Sequence, residues 1–237
     1  MHSYEVEVSG HEWICSDVIS VRSTRPTPFT FRPGQYLVLE LDTGGAVERK
    51  PFTISSGAHD PFLEITTRVS ESPYKRTLTC ATPGTRVRVV GPAGRLIVPG
   101  EVARVAFLVG GVGVTPVASM VRTWRSSGER MPEVVVFLGN HDAGCTPLAG
   151  QIAPVAGERL SLVHVLEETP PEWSGEHGFI TAEIVRAHVD IDRGWLFVVA
   201  GPPPMVGPME RVLRELGVDP GDQLIERFGP IAGPASR

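Results

Sequence analysis

In the first hundred residues, apolar and polar positions alternate in short runs, each bounded by glycine, proline or other turn-forming residues. A period of two places successive side chains on opposite faces of a β-strand. Turn dipeptides such as Pro33-Gly34 and Pro83-Gly84 separate the runs. Short strands at this spacing predict a six-stranded antiparallel barrel. The predicted strands are Tyr4–Val8, Trp13–Val21, Gln35–Leu41, Lys50–Ser55, Phe62–Val69 and Arg86–Val90.

The pattern changes near Pro99-Gly100. Unbroken apolar runs now alternate with segments of helical spacing, which predicts a parallel sheet with right-handed crossovers. We therefore expect a β + α/β chain, with a barrel in residues 1–100 and an α/β domain in residues 101–237. The predicted strands are Val105–Val109, Val134–Leu138, Leu160–Val165 and Leu196–Ala200, and the predicted helices are Pro116–Ser126, Pro147–Val155, Thr181–His188 and Pro204–Leu216.

A glycine-rich segment follows the first strand of the second region. Gly110, Gly111 and Gly113 remove side chains where the strand turns into a helix, and we predict Thr115 as the N-cap and Pro116 as the first helical residue. A diphosphate could bind the backbone N–H groups at such a helix start. The spacing is not that of the G-x-G-x-x-G fingerprint, and a tight strand-to-helix turn would explain the glycines equally well.

Composition and charge narrow the choice of partners. The chain has 237 residues and a formal net charge of −5. Its basic residues do not cluster densely enough to follow nucleic acid phosphates. No apolar run is long enough to span a membrane, and the N-terminus lacks a basic-then-apolar signal pattern. We expect a cytoplasmic protein that binds neither nucleic acid nor a membrane by a spanning segment.

The cysteine count excludes one class of redox centre. The three cysteines, Cys15, Cys80 and Cys145, lie far apart and contain no C-x-x-C pair. They cannot form a four-cysteine iron–sulfur cluster, and their spacing is typical of neither a zinc site nor a disulfide framework. We expect three buried or incidental thiols and no metal.

Several segments match the motifs of one family in order and spacing. Lys50–Ser56 looks like the flavin-binding strand R-x-[YF]-[ST], Gly110–Pro116 matches GGxGxTP, and Ala200–Met205 resembles CGPPxM. Pro83–Gly94 resembles the last barrel strand and its exit turn, and Glu226-Arg227-Phe228 a terminal E-x-F. Over nearly its whole length, the chain resembles the ferredoxin–NADP(+) reductase family of flavoproteins. The resemblance implies an N-terminal flavin-binding barrel and a C-terminal nucleotide-binding domain.

The first motif implies how a flavin would be held. Phe52, preceded by Pro51, would pack on the isoalloxazine ring, although an aromatic residue here would also suit the barrel core. Thr53 would offer its hydroxyl or N–H toward flavin N5. Ile54 and Ser55 would present backbone groups to the polar edge of the flavin.

Two departures concern the flavin diphosphate. Lys50 stands where the family has arginine, and lysine binds phosphate only as a point charge. The family sequence G-x-x-[ST] is replaced by Ser72-Pro73-Tyr74-Lys75, in which Ser72 could still cap a helix that binds phosphate. We therefore expect FAD, with FMN as the alternative if the diphosphate site is lost.

The resemblance also implies a nicotinamide nucleotide site. Its diphosphate would bind Gly110, Gly111, Gly113, Thr115 and Pro116. Gly201, Pro202, Pro203 and Met205 follow a strand at its carboxyl end, where ligands bind in parallel sheets, although a rigid loop would explain the prolines too.

Three further residues are assigned by the same resemblance. Ala200 replaces the family cysteine beside the nicotinamide. Hydride transfer needs no thiol, so we expect activity to survive this change. Glu226 would approach the nicotinamide and Phe228 would pack near the flavin. A surface glutamate and a hydrophobic plug remain the alternatives for these two positions.

The choice between NADH and NADPH depends on the loop Gly139–Gly144. It contains Asp142 and His141 but no arginine or lysine, and a carboxylate repels a 2′-phosphate. The loop favours NADH, and His141 is interpreted as an ordinary loop residue.

Taken with these residues, the resemblance implies an NAD(P)H-dependent flavoprotein reductase. Its electrons would pass to a separate acceptor, such as a ferredoxin, a flavodoxin, an oxygenase component or a small molecule. Two alternatives stay open: a flavin-binding electron-transfer subunit of a larger complex, and a free ferric or flavin reductase. The sequence does not set the oligomeric state.

Overall fold

A computed structural model describes residues 2–128 and 130–229. Its N-terminal half is a six-stranded antiparallel sheet in the order β4-β3-β6-β1-β2-β5. An isolated bridge between Ile54 and Ile65 brings the two edges of this sheet together, so that it curls into a barrel. One short helix, α1, precedes the last strand. The elements are β1 (His2–Cys15), β2 (Val18–Thr24), β3 (Tyr36–Asp42), β4 (Val47–Thr53), β5 (Phe62–Arg68), α1 (Pro73–Cys80) and β6 (Arg86–Ala93).

The first hairpin differs from its prediction. A single strand over Trp13–Val21 is wrong, because a turn at Ser16-Asp17 separates β1 from β2. The turn is held from outside the hairpin, since the Val69 N–H donates to the Asp17 carbonyl at 2.7 Å. β1 is long enough to pair with β6 through its first half and with β2 through its second half.

The C-terminal half is a parallel sheet in the order β10-β9-β8-β7-β11-β12. Alternate residues of its buried strands face two separate cores, one containing Phe137 and Phe197 and the other Phe107 and Val136. The strands are β7 (Arg104–Gly110), β8 (Glu133–Asn140), β9 (Leu160–Leu166), β10 (Glu176–His177), β11 (Leu196–Gly201) and β12 (Gln223–Arg227). The helices are α2 (Thr115–Ser127), α3 (Ala149–Ile152), α4 (Ala182–His188) and α5 (Pro203–Glu215). Within residues 2–128 and 130–229, no helix is long and apolar enough to cross a membrane.

The two edge strands of the parallel sheet, β10 and β12, were not predicted from the sequence. β10 is only two residues long, and the residues of β12 are at best half-buried, so neither shows the apolar run of a central strand. The predicted helix Pro147–Val155 shrinks to the single turn α3.

The start of α2 corrects a predicted cap. A 3-10 turn, Gly111–Val114, precedes the helix, and Val114 is the N-cap. Thr115 is already helical, and its hydroxyl donates to the Val112 carbonyl at 2.9 Å instead of accepting from a helix N–H. Pro116 lies in the first turn as predicted, where its missing N–H is not needed.

Helix α2 joins the two halves of the molecule. The Ser119 hydroxyl donates to the Ser56 carbonyl at 2.7 Å. Arg122 forms ion pairs with Asp60 at 2.6 Å and with Glu64 at 2.9 Å. Because Glu64 is fully buried, these contacts fix the barrel against the face of α2.

The cysteine prediction is wrong for two of the three residues. Cys15 and Cys145 form a disulfide, whereas Cys80 is free and exposed. The end of β1 and the loop after β8 meet in the fold although 130 positions separate them in the sequence. Local spacing does not reveal such a long-range contact.

Candidate functional site

Two cavities adjoin between the barrel and the parallel sheet. The smaller, of about 330 Å³, is called the barrel cavity, and the larger, of about 970 Å³, the sheet-end cavity. Val112, which follows β7, lines both. Such volumes are typical of sites for organic cofactors. Ligands held in the two cavities would therefore both approach Val112.

The barrel cavity combines an apolar wall with several hydroxyl groups. β4 contributes Phe52 and Thr53, as the sequence predicted, and β5 contributes Thr66 and Thr67, which it did not. The β5 residues were missed because alternation identifies a strand but not the ligand that it faces. The full lining is Tyr36, Pro51, Phe52, Thr53, Thr66, Thr67, Val112, Thr115, Glu226, Arg227, Phe228 and Gly229.

Phe52 belongs to the wall and to the core at once. Its ring is only 9% exposed and stacks on Tyr74 with centroids 6.0 Å apart. The Lys75 ammonium lies 4.6 Å from the centre of the Phe52 ring. Phe52 is thus a barrel-core residue that also faces the barrel cavity, and its packing against a flavin stays a prediction.

Three residues predicted to contact a flavin, Tyr74, Ile54 and Ser55, use polar groups in hydrogen bonds within the protein. Tyr74 is fully buried, and its hydroxyl donates to the Leu39 carbonyl at 2.8 Å. The Ile54 N–H donates to Gln35 and the Ser55 N–H to Glu64. The backbone groups that Ile54 and Ser55 were predicted to present to a flavin therefore do not include their N–H donors, because closing the barrel uses both.

Two lysines lie beside the Phe52–Tyr74 pair. Ser72 caps α1 as predicted, with its side chain accepting from the Lys75 N–H. Lys75 contacts the Thr67 hydroxyl. The Lys50 ammonium lies 4.7 Å from the centre of the Tyr74 ring and 3.6 Å from a Glu48 oxygen.

This amine pair suits an anionic ligand. Burial, helped by the charge of Lys50, lowers the pKa of Lys75 to about 8. No carboxylate in the described part of the chain forms an ion pair with Lys75. Neither lysine lines the barrel cavity itself, but two neighbouring cations beside its Phe52 wall, one of them without a counter-ion, match the diphosphate of FAD.

Glu226 supplies a titratable group to the barrel cavity. It lies on β12 beside Ala200 of β11, and burial raises its pKa to about 7. Phe228 closes the same wall, and its N–H donates to the Gly201 carbonyl at 2.8 Å. Below neutral pH the Glu226 carboxyl is mostly protonated and can donate a hydrogen bond into the cavity.

The sheet-end cavity lies at the carboxyl ends of β7, β8 and β11. Pro202 and Met205 line it as predicted, whereas Pro203 and Gly201 do not. Gly110 and Gly111 also line it, and Gly111 has a φ of +52°, which favours glycine. Other residues in its lining include Asp17, Arg68, Asn140, His141, Asp142, Cys145, Glu167 and Arg211.

The wall of this cavity contains one buried hydrogen-bond donor without a partner. Asn140 is buried at the end of β8, and its Nδ2 atom has no partner in the described structure. Buried amides normally find a hydrogen-bond acceptor. Ribose and phosphate oxygens of a nucleotide are such acceptors, so the donor set fits a dinucleotide.

Gly113 and Ala200 lie behind the wall rather than on it. A Cβ at Gly113 would come within 2.3 Å of the Ala200 carbonyl oxygen, so this glycine allows the 3-10 turn to pack on β11. Ala200 is fully buried in a core cluster. Gly113, Ala200 and Pro116 line neither of the two cavities, so the structure gives no direct support to their prediction as ligand contacts.

Comparison with known proteins agrees with this geometry. The profile of the FAD-binding domain family matches residues 3–84, and that of the oxidoreductase NAD-binding domain family matches residues 107–211. NADH-cytochrome b5 reductase 1 of Aspergillus terreus is 26% identical over 207 residues, which cover 81% of this chain and 70% of the relative.

Solved structures show the same architecture. An Amycolatopsis cytochrome P450 reductase is 25% identical and superposes with a TM-score of 0.81. The matched region covers 97% of this chain and 71% of the reductase chain. A ferredoxin NADP+ reductase from Neisseria gonorrhoeae, solved with FAD and NADP, is 16% identical and superposes with a TM-score of 0.82. The matched region covers 96% of this chain and 99% of the reductase chain. The chain belongs to the FAD-binding and oxidoreductase NAD-binding domain families through its two halves, shares the fold of ferredoxin–NADP(+) reductase-like flavoproteins, and is an NAD(P)H-dependent flavoprotein oxidoreductase.

Proposed function

We propose that this protein carries electrons from NADH through FAD to a separate acceptor protein. The observation that carries the proposal is the junction of the two cavities at Val112. When bound, FAD accepts a hydride and passes its electrons on singly. The relatives that are named for a cytochrome partner support a protein acceptor.

The chain's own residues would orient the two ligands. Phe52 would support the flavin ring, and Thr53 would place a hydroxyl at the same wall. Lys50 and Lys75 would hold the diphosphate, while Asn140 and the segment Gly110-Gly111 would bind the nucleotide. Because its pKa is near 7, Glu226 would hold or release a proton at the cavity wall during turnover.

The charges of the sheet-end cavity support NADH over NADPH. Asp142 and Glu167 line it, and His141 lies 3.6 Å from Glu167. Arg122 and Arg125 on α2 are cations that could overturn this preference if they turned toward the cavity. Arg122 is paired with Asp60 and Glu64, and Arg125 with Glu158.

One cation that the sequence did not single out needs its own test. Arg211 on α5 lines the same cavity and could bind a 2′-phosphate. The comparison of NADH with NADPH therefore includes the variant Arg211→Gln.

An anaerobic titration of the FAD-loaded protein tests electron transfer. We expect NADH to bleach the flavin bands and subsequent addition of a ferredoxin, a flavodoxin or cytochrome b5 to restore them. Bands that persist in excess NADH would instead identify a binding subunit. Restoration by ferric citrate or free flavin, but by none of the proteins, would identify a ferric or flavin reductase.

Coenzyme choice is tested by comparing kcat/KM for NADH and NADPH. We expect wild type to prefer NADH, and Asp142→Arg to shift the preference toward NADPH by about tenfold, the effect of about 1.4 kcal/mol. Arg211→Gln should leave the preference for NADH in place. A wild-type preference for NADPH that Arg211→Gln abolishes would contradict the assignment to Asp142.

A further inference from the structure

A disulfide lies in the wall of the sheet-end cavity. Cys15 ends β1, and Cys145 lies in the loop between β8 and α3. Their Cα atoms are 5.5 Å apart, a distance usual for natural disulfides. Asp17 and Cys145 line the cavity, as does Asp142 of the same loop. The bond therefore joins the barrel to the loop that carries Asp142.

The two ends of this bond are held differently by the rest of the protein. The turn on the barrel side is fixed to β5, because the Val69 N–H donates to the Asp17 carbonyl. On the loop side, the Gly144 N–H donates to Asp142 Oδ1 at 2.6 Å, within the loop itself. The described backbone hydrogen bonds of residues 142–148 stay inside the loop and α3. The Glu168 N–H donates to the His141 carbonyl before this segment, and Leu148 is buried after it. Opening the disulfide would therefore free residues 142–146 between them and leave the turn in place.

The fixed turn also holds a charge at the cavity. Asp17 forms an ion pair with Arg68, and both residues line the cavity. A Cβ at Gly111 would lie 3.8 Å from the Arg68 guanidinium, so this cation faces the glycine segment. The disulfide thus sets the distance between a cation on the barrel and the acidic loop opposite.

We propose that the Cys15–Cys145 disulfide is a positioning link for coenzyme binding, and that opening it weakens the affinity for the nicotinamide nucleotide. This inference rests on the proposed function for the identity of the ligand. A free loop must be ordered when the coenzyme binds. Ordering the backbone of even one residue weakens binding by about fivefold or more. The limiting rate of flavin reduction should not change, because neither cysteine belongs to the barrel cavity.

Thiol–disulfide exchange with a dithiol opens the link. One thiolate of the dithiol attacks one sulfur and forms a mixed disulfide, while the other cysteine leaves and takes up a proton. The second thiol then displaces the first cysteine, so the dithiol ends as a cyclic disulfide and the protein as two thiols. Two electrons pass from the dithiol to the protein. Cys15 and Cys145 are half-buried rather than enclosed, which leaves them open to a small dithiol.

The test uses the FAD-loaded full chain, either untreated or treated with dithiothreitol and desalted without oxygen. Alkylation and mass spectrometry should find one free thiol, Cys80, in the untreated protein and three after treatment. Stopped-flow bleaching at a series of NADH concentrations then gives an apparent Kd and a limiting rate. We expect the apparent Kd to rise about fivefold or more on reduction, with an unchanged limiting rate.

Three variants sharpen the test. Cys80→Ser should respond to dithiothreitol as wild type does. Cys145→Ser and Cys15→Ser should show the raised Kd before treatment and no further response. An unchanged Kd in protein whose bond is shown to be open would overturn the proposal, as would three free thiols in the untreated protein.

Two further measurements separate the remaining possibilities. Ligand atoms of Cys15, Asp17 and Cys145 lie within 4.8 Å of one another, so stoichiometric zinc that is lost in Cys145→Ser would overturn the proposal in favour of a metal site. Calorimetric titration with NAD+ measures binding without electron transfer. If NADH fails to bleach the flavin but NAD+ affinity still falls on reduction, the proposed function is wrong and the positioning link stands.

Discussion

Among single residues, Phe52 offers the most direct test of the flavin wall. Phe52→Leu keeps the apolar volume but removes the aromatic face. We expect FAD to bind roughly three- to tenfold more weakly, because an aromatic contact adds about 0.5–1.5 kcal/mol beyond area burial. Fluorescence titration of the flavin-free protein measures the change. Phe29→Leu, a core residue that lines neither cavity, is the control, and an equal loss in both variants would show that Phe52 acts through the core alone.

The raised pKa of Glu226 predicts how the free energy of unfolding depends on pH. Its pKa is about 7 in the folded protein and near 4.5 when unfolded, so the unfolded state releases its proton first as the pH rises. The free energy of unfolding should therefore fall by on the order of 2 kcal/mol between about pH 4.5 and 7, and stay level above pH 7. Glu226→Gln should remove this fall in urea unfolding of the flavin-free protein. Exposed Glu172→Gln should retain it, and a Glu226→Gln profile that matches wild type would contradict the burial argument.

At the scale of elements, the junction of β7 and α2 depends on Gly113. Gly113→Ala places a methyl group against the Ala200 backbone, which must move. We expect a loss of about 1–3 kcal/mol in the free energy of unfolding, typical of overpacking. Gly150→Ala on α3, where a Cβ meets nothing within 4 Å, should not destabilise the protein. Thermal unfolding compares the two, and an unperturbed Gly113→Ala would show that the turn can shift freely.

Elements also show where sequence reasoning succeeds. Central strands such as β7 and β8 were predicted because both of their faces are buried, which leaves an unbroken apolar run. β12 lies at the sheet edge and carries no such run, although its Glu226 was identified through a motif. Thr67 and the Cys15–Cys145 bond were missed because they depend on which distant segments the fold brings together.

For the whole molecule, Arg122 controls how firmly the two halves are joined. Arg122→Met would leave Asp60 and part of Glu64 without a counter-ion at a buried interface. Breaking such a pair is strongly destabilising, and because Glu64 keeps Arg22 we expect a loss of about 2–3 kcal/mol. Arg76→Met removes an exposed pair with Glu71 and should cost less than about 1 kcal/mol. Urea unfolding distinguishes them, and equal losses would mean that the interface pair contributes no more than a surface pair.

The order of the strands along the chain has a consequence for biosynthesis. Every strand of the antiparallel sheet lies within residues 2–93, so this sheet can form on the ribosome before β7 is made. The barrel cavity cannot form so early, because Glu226 and Phe228 in its wall belong to the last segment that the structure describes. A nascent chain can therefore carry a folded barrel with an open flavin site until the ribosome has made β12 and Phe228. We therefore expect firm retention of FAD only after the second sheet has formed and brought Glu226 and Phe228 to the barrel.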